Sequence, residues 1–233
     1  MKKFDYIIIG SGQAGIPLAF SLSKQGTVAI IEKSFLGGTC VNNGCIPTKA
    51  YVSSARRVWD AFHANELGVE IPEGTKANLR KIKVRKDKLV EESRSNIENA
   101  IERNKKITLY KGEAHFISNY EVKVAETILT AKKIFINVGA RAAVPQEYQK
   151  TSFYTNENIL EITDIPQHLI VIGGSYIGLE FAQIFRRFGS EVTIIERNKR
   201  LIDREDETVT DGVAEIMKSD GVHLIFNAKD IKS

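Results

Sequence analysis

The spacing of apolar residues predicts a strand, a helix and a second strand near the start of the chain. Residues 4–9, "FDYIII", form the short apolar run of a parallel strand that is buried on both faces. Apolar residues then recur one helical turn apart at Ala14, Leu18 and Leu22, which predicts a helix. Residues 27–33, "TVAIIEK", predict the second strand. The three elements together form a βαβ unit.

The same order of elements returns at residues 169–196, where "HLIVIG" and "EVTIIER" flank a second helical pattern. Between the two units, residues 45–64 and 76–104 predict helices, the second amphipathic and broken at one point. Residues 107–138 change to a period of two, which predicts a small antiparallel meander. The pattern therefore indicates an α/β protein with two Rossmann-like dinucleotide-binding domains, at 1–145 and 146–233.

A glycine-rich turn joins the first strand to the first helix. Residues 10–15, "GSGQAG", match the pattern G-x-G-x-x-G. Gly10 permits the tight turn, Gly12 lets backbone amides approach a pyrophosphate, and Gly15 lets helix and strand pack closely. The helix N-terminus then favours the phosphates. Glu32 ends the following strand at the position where an acid binds ribose hydroxyls, so these residues predict a dinucleotide site.

A second, less complete glycine turn follows the strand at 168–173. Gly173 and Gly178 occupy the outer positions, whereas Ser175 stands at the middle one. Glu196 closes the next strand, and an acid there favours the ribose diol of NADH. Two nearby arginines offer the alternative of a 2′-phosphate and hence NADPH; they are Arg197 and Arg200.

Both cysteines of the chain, Cys40 and Cys45, lie in the stretch "GGTCVNNGCIPTK". They allow three interpretations: a metal site, a structural disulfide or a redox pair. No histidine lies near them to complete a metal site, and a disulfide that closes so short a loop would stabilise little. The redox interpretation explains more, since the pair follows a dinucleotide-binding unit, Gly44 permits the turn, and a helix N-terminus favours a thiolate.

The composition excludes few classes of protein, but its charge balance limits the kinds of partner that can be expected. The chain has 33 basic and 29 acidic residues, a net charge of +4 spread along its length. This balance predicts neither a nucleic-acid nor a membrane partner. No apolar run approaches the ~18 residues of a membrane span, and the N-terminus lacks the pattern of a signal peptide. We therefore expect a cytoplasmic protein.

The motifs resemble those of the class I pyridine nucleotide-disulfide oxidoreductases. The likeness rests on "DYIIIGSGQAG", "GGTCVNNGCIPTKA" and "GGSYIGLEFAQIFRRFGSEVTIIER", and "GQAGIPLA" and "INVGARAAVP" are closest to the mercuric-reductase-like branch. The resemblance implies an FAD-dependent enzyme that passes electrons from NADH or NADPH through Cys40 and Cys45 to a disulfide or metal-ion substrate. Dihydrolipoyl dehydrogenase shares every motif and is the alternative.

The resemblance also implies roles for individual residues. Cys45 would face the flavin, Cys40 would exchange with substrate, and Lys49 and Glu180 would form a pair near the flavin. The remaining FAD-site residues would be Gly10, Ser11, Gly12, Gln13, Ala14, Gly15, Glu32, Lys33, Gly38, Thr39, Gly112, Glu113, Ala114 and Gly139. The nicotinamide-nucleotide site would comprise Gly173, Gly174, Ser175, Tyr176, Ile177, Gly178, Glu196 and Arg197. No resident metal is expected.

Members of the resembled family are about twice as long as this chain. The resemblance assigns 1–145 to part of an FAD-binding domain and 146–233 to a truncated NAD(P)-binding domain. It also implies that the C-terminal interface domain, with a His-Glu acid/base pair for the partner subunit, is absent. A homodimer is expected of the full-length protein. The given residues would turn over poorly, which leaves a non-catalytic nucleotide-binding fragment as a further alternative.

Overall fold

The computed structural model describes residues 1–229, apart from the side chain at position 147, and the chain divides into two compact units. The first contains residues 1–47 and 87–142, and the second contains residues 48–86 and 143 onward. Residues 48–86 thus pack with the second unit, whereas the sequence-based boundary near 145 grouped them with the first. The reason is burial, since Tyr51 and Leu79 lie in the core of the second unit. Assignment of the two ranges to FAD and NAD(P) stays a prediction, and residues 230–233 lie outside the described part.

The first unit is built on a parallel sheet. Its strands in chain order are β1 (Lys2–Lys3), β2 (Tyr6–Ile9), β3 (Val28–Glu32), β4 (Ile107–Lys111), β5 (Ala114–Ser118), β6 (Glu121–Val124), β7 (Thr127–Thr130) and β8 (Lys133–Ile136). The parallel sheet has the order β4-β3-β2-β8, and a second sheet has the order β1-β7-β6-β5. Helix α1 (Gly15–Ser23) connects β2 to β3, which confirms the predicted βαβ unit.

The predicted meander at 107–138 is wrong at both ends. Strand β4 pairs parallel with β3, and β8 pairs parallel with β2. Only β5, β6 and β7 form the antiparallel ladder. The alternating pattern indicates that β4 and β8 are strands, but it does not show which strands they pair with, because their partners β3 and β2 are distant in sequence.

Three α-helices lie in the middle region of the chain. They are α2 (Gly38–Asn42), α3 (Cys45–Phe62) and α4 (Leu79–Arg103). The predicted helix at 45–64 is confirmed, with Pro47 in the first turn, where a missing N–H costs nothing. The prediction of a break in the helix at 76–104 is wrong, because α4 runs for 25 residues without interruption.

Alternate residues of the parallel sheet fill two cores. Ile7 and Ile9 pack against residues of the second sheet, such as Leu129 of β7. Ile8 and Ile30 face the opposite way and pack with residues of α1 and α4. Burial of each such side chain stabilises the fold by about 1.5–3 kcal/mol. The two cores fix the carboxyl ends of β2 and β3, where the site lies.

The second unit repeats the βαβ arrangement. Strands β9 (His168–Ile172), β10 (Glu191–Ile195) and β11 (His223–Ile225) are parallel in the order β11-β10-β9. Helix α5 (Tyr176–Phe188) connects β9 to β10, and α6 (Glu207–Ser219) precedes β11. The remaining elements are 3₁₀ turns at Ala64–Leu67, Gln146–Tyr148 and Ile159–Glu161. Among the described residues, no helix has the length and apolarity needed to cross a membrane.

Candidate functional site

The first glycine turn is held by the chain itself at its two outer positions. Gly10 has a φ of 99°, and a Cβ there would lie 2.2 Å from the carbonyl oxygen of Asn137. A Cβ on Gly15 would lie 2.1 Å from the carbonyl oxygen of Gly10. Both positions therefore require glycine for folding, before any ligand is considered.

Gly12 differs from its two neighbours. A Cβ at this position would meet only the Cα of Gly38, at an ordinary contact distance of 3.9 Å. Since the protein leaves room for a side chain here, glycine keeps the surface open to a group outside the chain. Close approach of a pyrophosphate to backbone amides, as the motif predicts, fits this observation.

The acid at the end of β3 is oriented by the turn. The main-chain N–H of Ser11 donates to Oε2 of Glu32 at 2.9 Å, and the Ser11 hydroxyl donates to the same oxygen at 2.7 Å. Oε1 accepts from the N–H of Ser34 at 2.9 Å. Both lone pairs of Oε2 are thus engaged, whereas Oε1 accepts a single bond and keeps capacity for a ribose hydroxyl.

The two cysteines are free thiols that open onto the same groove. Cys45 is the first residue of α3 and is exposed, whereas Cys40 lies in α2 and is half-buried. Burial and a hydrogen bond with Cys45 raise the pKa of the Cys40 thiol. Gly44 makes the turn tight, because a Cβ there would lie 2.8 Å from the carbonyl oxygen of Thr39.

The glycine turn, the acid and the cysteines open onto one groove of about 840 Å³ in the first unit. Most predicted FAD-site residues line it, namely Gly10, Gly12, Gln13, Ala14, Glu32, Lys33, Gly38, Thr39, Cys40, Cys45, Gly112, Glu113, Ala114 and Gly139. Ser11 and Gly15 are buried beneath the turn. Lys33 and Glu113 form an ion pair with 3.1 Å between Nζ and Oε1. The open glycine, the oriented acid and the volume together fit a dinucleotide.

Asn137 and Arg141 also line the groove, although neither was among the predicted site residues. The Asn137 side-chain nitrogen is buried and has no hydrogen-bond partner within the described residues. A buried donor without a partner costs about 1–3 kcal/mol, so its position at the groove marks it as a ligand contact candidate. Both residues lie in the stretch "INVGARAAVP" that carries the family resemblance, but only the packing shows that these two side chains lie at the groove.

The second glycine turn has nearly the same geometry as the first. Gly173 has a φ of 99°, and a Cβ on Gly178 would lie 2.3 Å from the carbonyl oxygen of Gly173. Glu196 is buried and accepts from the N–H of Gly174 at 2.7 Å and from that of Asn198 at 2.8 Å. The replacement of the middle glycine by Ser175 therefore leaves the architecture of the turn intact.

A cleft of about 870 Å³ lies in front of this turn. Its predicted members are Gly173, Ser175, Tyr176, Glu196 and Arg197, whereas Gly174, Ile177 and Gly178 do not line it. The Tyr176 hydroxyl donates to Glu205, and this hydrogen bond raises the pKa of the tyrosine.

The arginines near Glu196 differ in availability. Arg200 is paired with Glu207 and does not line the cleft. Arg197 and Arg204 do line it, and both are exposed. Arg204 escaped sequence reasoning because it lies eight residues beyond the acid, in a loop without a recognisable pattern.

Lys49 and Glu180 form an ion pair within the second unit. The structure brings together the two residues that the motif pairs, one from α3 and the other from α5. Their proximity to a flavin stays a prediction. Among the described residues, no group of three or more His, Cys, Asp or Glu side chains could hold a metal ion.

Comparison with protein-family models identifies residues 4–230 as a match to the pyridine nucleotide-disulphide oxidoreductase family. A relative, the probable pyridine nucleotide-disulfide oxidoreductase RclA of Escherichia coli, is 36% identical over 98% of this chain and 50% of its own length. Mercuric reductase of Lysinibacillus sphaericus is 33% identical, over 97% of this chain and 42% of its own length. Dihydrolipoyl dehydrogenase of Acholeplasma laidlawii is 31% identical, over 98% of this chain and 70% of its own length.

A solved structure gives the same result for the fold. The Cu(II) complex of the HOCl-induced flavoprotein disulfide reductase RclA from Escherichia coli superposes with a TM-score of 0.86 and 34% identity. The match covers all of this chain and 51% of that one. The chain therefore spans about half the length of RclA, and the predicted α/β dinucleotide-binding fold is confirmed.

Proposed function

Because the chain belongs to the pyridine nucleotide-disulphide oxidoreductase family, we propose that it is part of a flavin-dependent reductase with a redox-active Cys40–Cys45 disulfide. Electrons from NADH or NADPH would pass through this pair to a disulfide or metal-ion substrate. Members of the family are FAD-dependent and use NAD(P)H. The observation that carries the proposal is the single groove onto which Gly12, Glu32 and both cysteines open.

Different residues of the groove would bind different parts of FAD. Amides around Gly12 and the N-terminus of α1 would bind the pyrophosphate, and Glu32 would accept the ribose hydroxyls. FAD bound there would relay electron pairs between the nicotinamide and the cysteines. Cys45 would lie toward the flavin and Cys40 would exchange with substrate. Lys49 and Glu180 would act as the charged pair near the flavin.

The pyridine nucleotide would occupy the cleft beside Glu196. Its carboxylate would bind the ribose diol of NADH, since each of its oxygens can accept one bond beyond those from the backbone. Arg197 and Arg204 supply an alternative, because a pair of exposed guanidinium groups would bind a 2′-phosphate. A comparison of KM for NADH and NADPH in Arg204→Met against the parent tests the choice.

We favour a mercuric-reductase-like electron acceptor and keep dihydrolipoyl dehydrogenase as the second candidate. A relative of each name matches nearly the whole chain, and the RclA structure is a Cu(II) complex. The two cysteines are the thiol ligands that this chain offers to a metal ion. A cytoplasmic homodimer is our proposal for the complete protein.

Cofactor loading tests the proposal. The purified 233-residue chain should bind FAD and turn yellow, and Gly12→Glu should prevent the binding while the fold is retained. With FAD bound, slow NADH oxidation with Hg(II), Cu(II), a small disulfide or lipoamide as acceptor would distinguish the candidate substrates. A folded chain that binds no FAD would contradict the proposal, and FAD binding without reduction by NADH or NADPH would support the non-catalytic alternative.

A further inference from the structure

The loop at residues 35–37 and the helix α2 that carries Cys40 are held together by the side chain of a residue inside the cysteine motif. Nδ2 of Asn42 donates to the carbonyl oxygens of Leu36 and Gly38, at 3.0 and 2.7 Å. A longer contact of 3.5 Å reaches the carbonyl oxygen of Phe35. One amide group therefore ties the residues before α2 to the end of that helix, between the two cysteines.

Asn42 is in turn held from α4. Nε of Arg94 donates to Oδ1 of Asn42 at 2.5 Å. The guanidinium of Arg94 also stacks on the ring of Phe35, with 3.9 Å between Cζ and the ring centroid. Because Oδ1 is engaged by a cation, the amide must turn Nδ2 toward the loop carbonyls.

The loop needs such a brace because its backbone is intrinsically loose. Gly37 and Gly38 have φ values of 92° and 61°, a left-handed conformation that glycine can leave without steric cost. Arg94 side-chain exposure is only 25%, so its charge-assisted hydrogen bond is partly shielded from water. The contacts of Arg94 and Asn42, called the brace here, therefore restrict a backbone that the two glycines leave flexible.

We infer that Arg94 is a positioning residue for the Cys40–Cys45 pair, acting through Asn42 and Phe35. Closure of a disulfide depends on the effective concentration of one thiol at the other, and that concentration falls when the segment that carries Cys40 gains freedom. Loss of the brace should therefore make the disulfide less stable relative to the two thiols. The inference deepens the proposed function, because it takes the pair to be redox-active.

Thiol–disulfide equilibration of the 233-residue chain tests the inference without flavin. In mixtures of reduced and oxidised glutathione, the two thiols give two electrons and two protons to one oxidised glutathione. One protein S–S bond forms and two molecules of reduced glutathione are released. Alkylation followed by mass spectrometry gives the equilibrium constant. We expect Arg94→Met to lower the constant for disulfide formation about fivefold, or roughly 20 mV for a two-electron couple.

Matched variants separate positioning from a general loss of charge or stability. Arg103→Met removes one positive charge from the last turn of the same helix and should leave the constant unchanged. Arg94→Lys keeps the charge and one donor but not the stacking, so an intermediate shift is expected. Asn42→Ala should lower the constant at least as much as Arg94→Met, and the double variant should add little, since one residue acts through the other.

Two outcomes would overturn the inference. One is a constant for Arg94→Met within twofold of the parent, and the other is an equal shift in Arg103→Met. If Arg94→Met fails to fold by circular dichroism, Arg94→Lys and Asn42→Ala decide, and unchanged constants in both refute the role. FAD binding is measured separately, so failure of the proposed function and failure of the brace give different results.

Discussion

Ser11 donates two hydrogen bonds to one oxygen of Glu32, from its main-chain N–H at 2.9 Å and from its hydroxyl at 2.7 Å. The acid that is expected to bind ribose is therefore fixed by the turn that is expected to bind the pyrophosphate. In the second unit, the main-chain N–H of Gly174 likewise donates to Oε2 of Glu196, at 2.7 Å. The repetition allows the two nucleotide sites to be tested against each other.

Glu32→Gln and Glu196→Gln should have separate effects. In each acid both carboxylate oxygens accept from backbone N–H groups, so either orientation of a glutamine amide sets its nitrogen against an N–H, and two donors cannot pair. We expect Glu32→Gln to weaken FAD binding about tenfold or more and to leave NADH binding unchanged. Glu196→Gln should do the reverse. Fluorescence titration with each nucleotide measures both affinities, and a parallel loss in the two variants would contradict separate sites.

Gly12→Ala and Gly15→Ala should differ in stability. A Cβ at Gly15 would lie 2.1 Å from a carbonyl oxygen, so the backbone must shift, at a cost of roughly 1–3 kcal/mol or more. A Cβ at Gly12 meets nothing closer than 3.9 Å, so Gly12→Ala should keep the parent's melting temperature while it weakens FAD binding. Thermal denaturation and FAD titration check the pair. A large fall in melting temperature for Gly12→Ala would show that the glycine serves the fold.

Alkylation of Cys40 should be slow at neutral pH. Burial raises the pKa of its thiol above the ordinary 9.0, with a further contribution from the hydrogen bond with Cys45. In Cys45→Ser, only Cys40 remains to react, and burial persists. The rate of iodoacetamide reaction should therefore still rise through a midpoint above 9.0. A midpoint near neutrality would mean that Cys40 is held in an environment that favours its thiolate.

An ion-pair cluster in the second unit should make stability depend on acid pH. Burial acts to raise the pKa of Glu161, but hydrogen bonds from Lys83 and Lys86 outweigh it and lower the pKa below the ordinary 4.5. A carboxyl whose pKa falls on folding stabilises the protein above its unfolded value and loses that contribution as the pH drops through the folded one. The melting temperature should fall as the pH decreases below about 4.5.

Glu161→Gln is the matched test of that cluster. Lys86 has only 3% of its side chain exposed, with 2.6 Å between its Nζ and Oε1 of Glu161. The variant should lose stability at pH 7 by roughly 1–3 kcal/mol, because a buried ammonium loses a charged partner. Its own acid transition should be shallower than that of the parent. Parallel pH curves for the two proteins would show that Glu161 does not control the transition.

Local chemistry made the glycine turns, the acids and the cysteine pair predictable from sequence. Gly10, Gly15 and Glu32 each follow from a turn that spans few residues, and the structure repeats it at Gly173 and Glu196. Long-range packing was not predictable. The parallel partners of β4 and β8 and the packing of residues 48–86 with the second unit depend on contacts between distant segments. Arg94 likewise carries no local sign of its contact with Asn42, 52 residues earlier.

We propose that Cys45 lies against the flavin as the inner sulfur of a redox pair. Reduction of the FAD-loaded 233-residue chain with two electrons per flavin should produce a long-wavelength absorption band from Cys45 thiolate to oxidised flavin. In Cys40→Ser, which has no disulfide to reduce, Cys45 is already a thiol, so the band should be present before any reduction; in Cys45→Ser the band should be absent. A band that survives in Cys45→Ser, or no band in a parent chain that has bound FAD, would contradict the account.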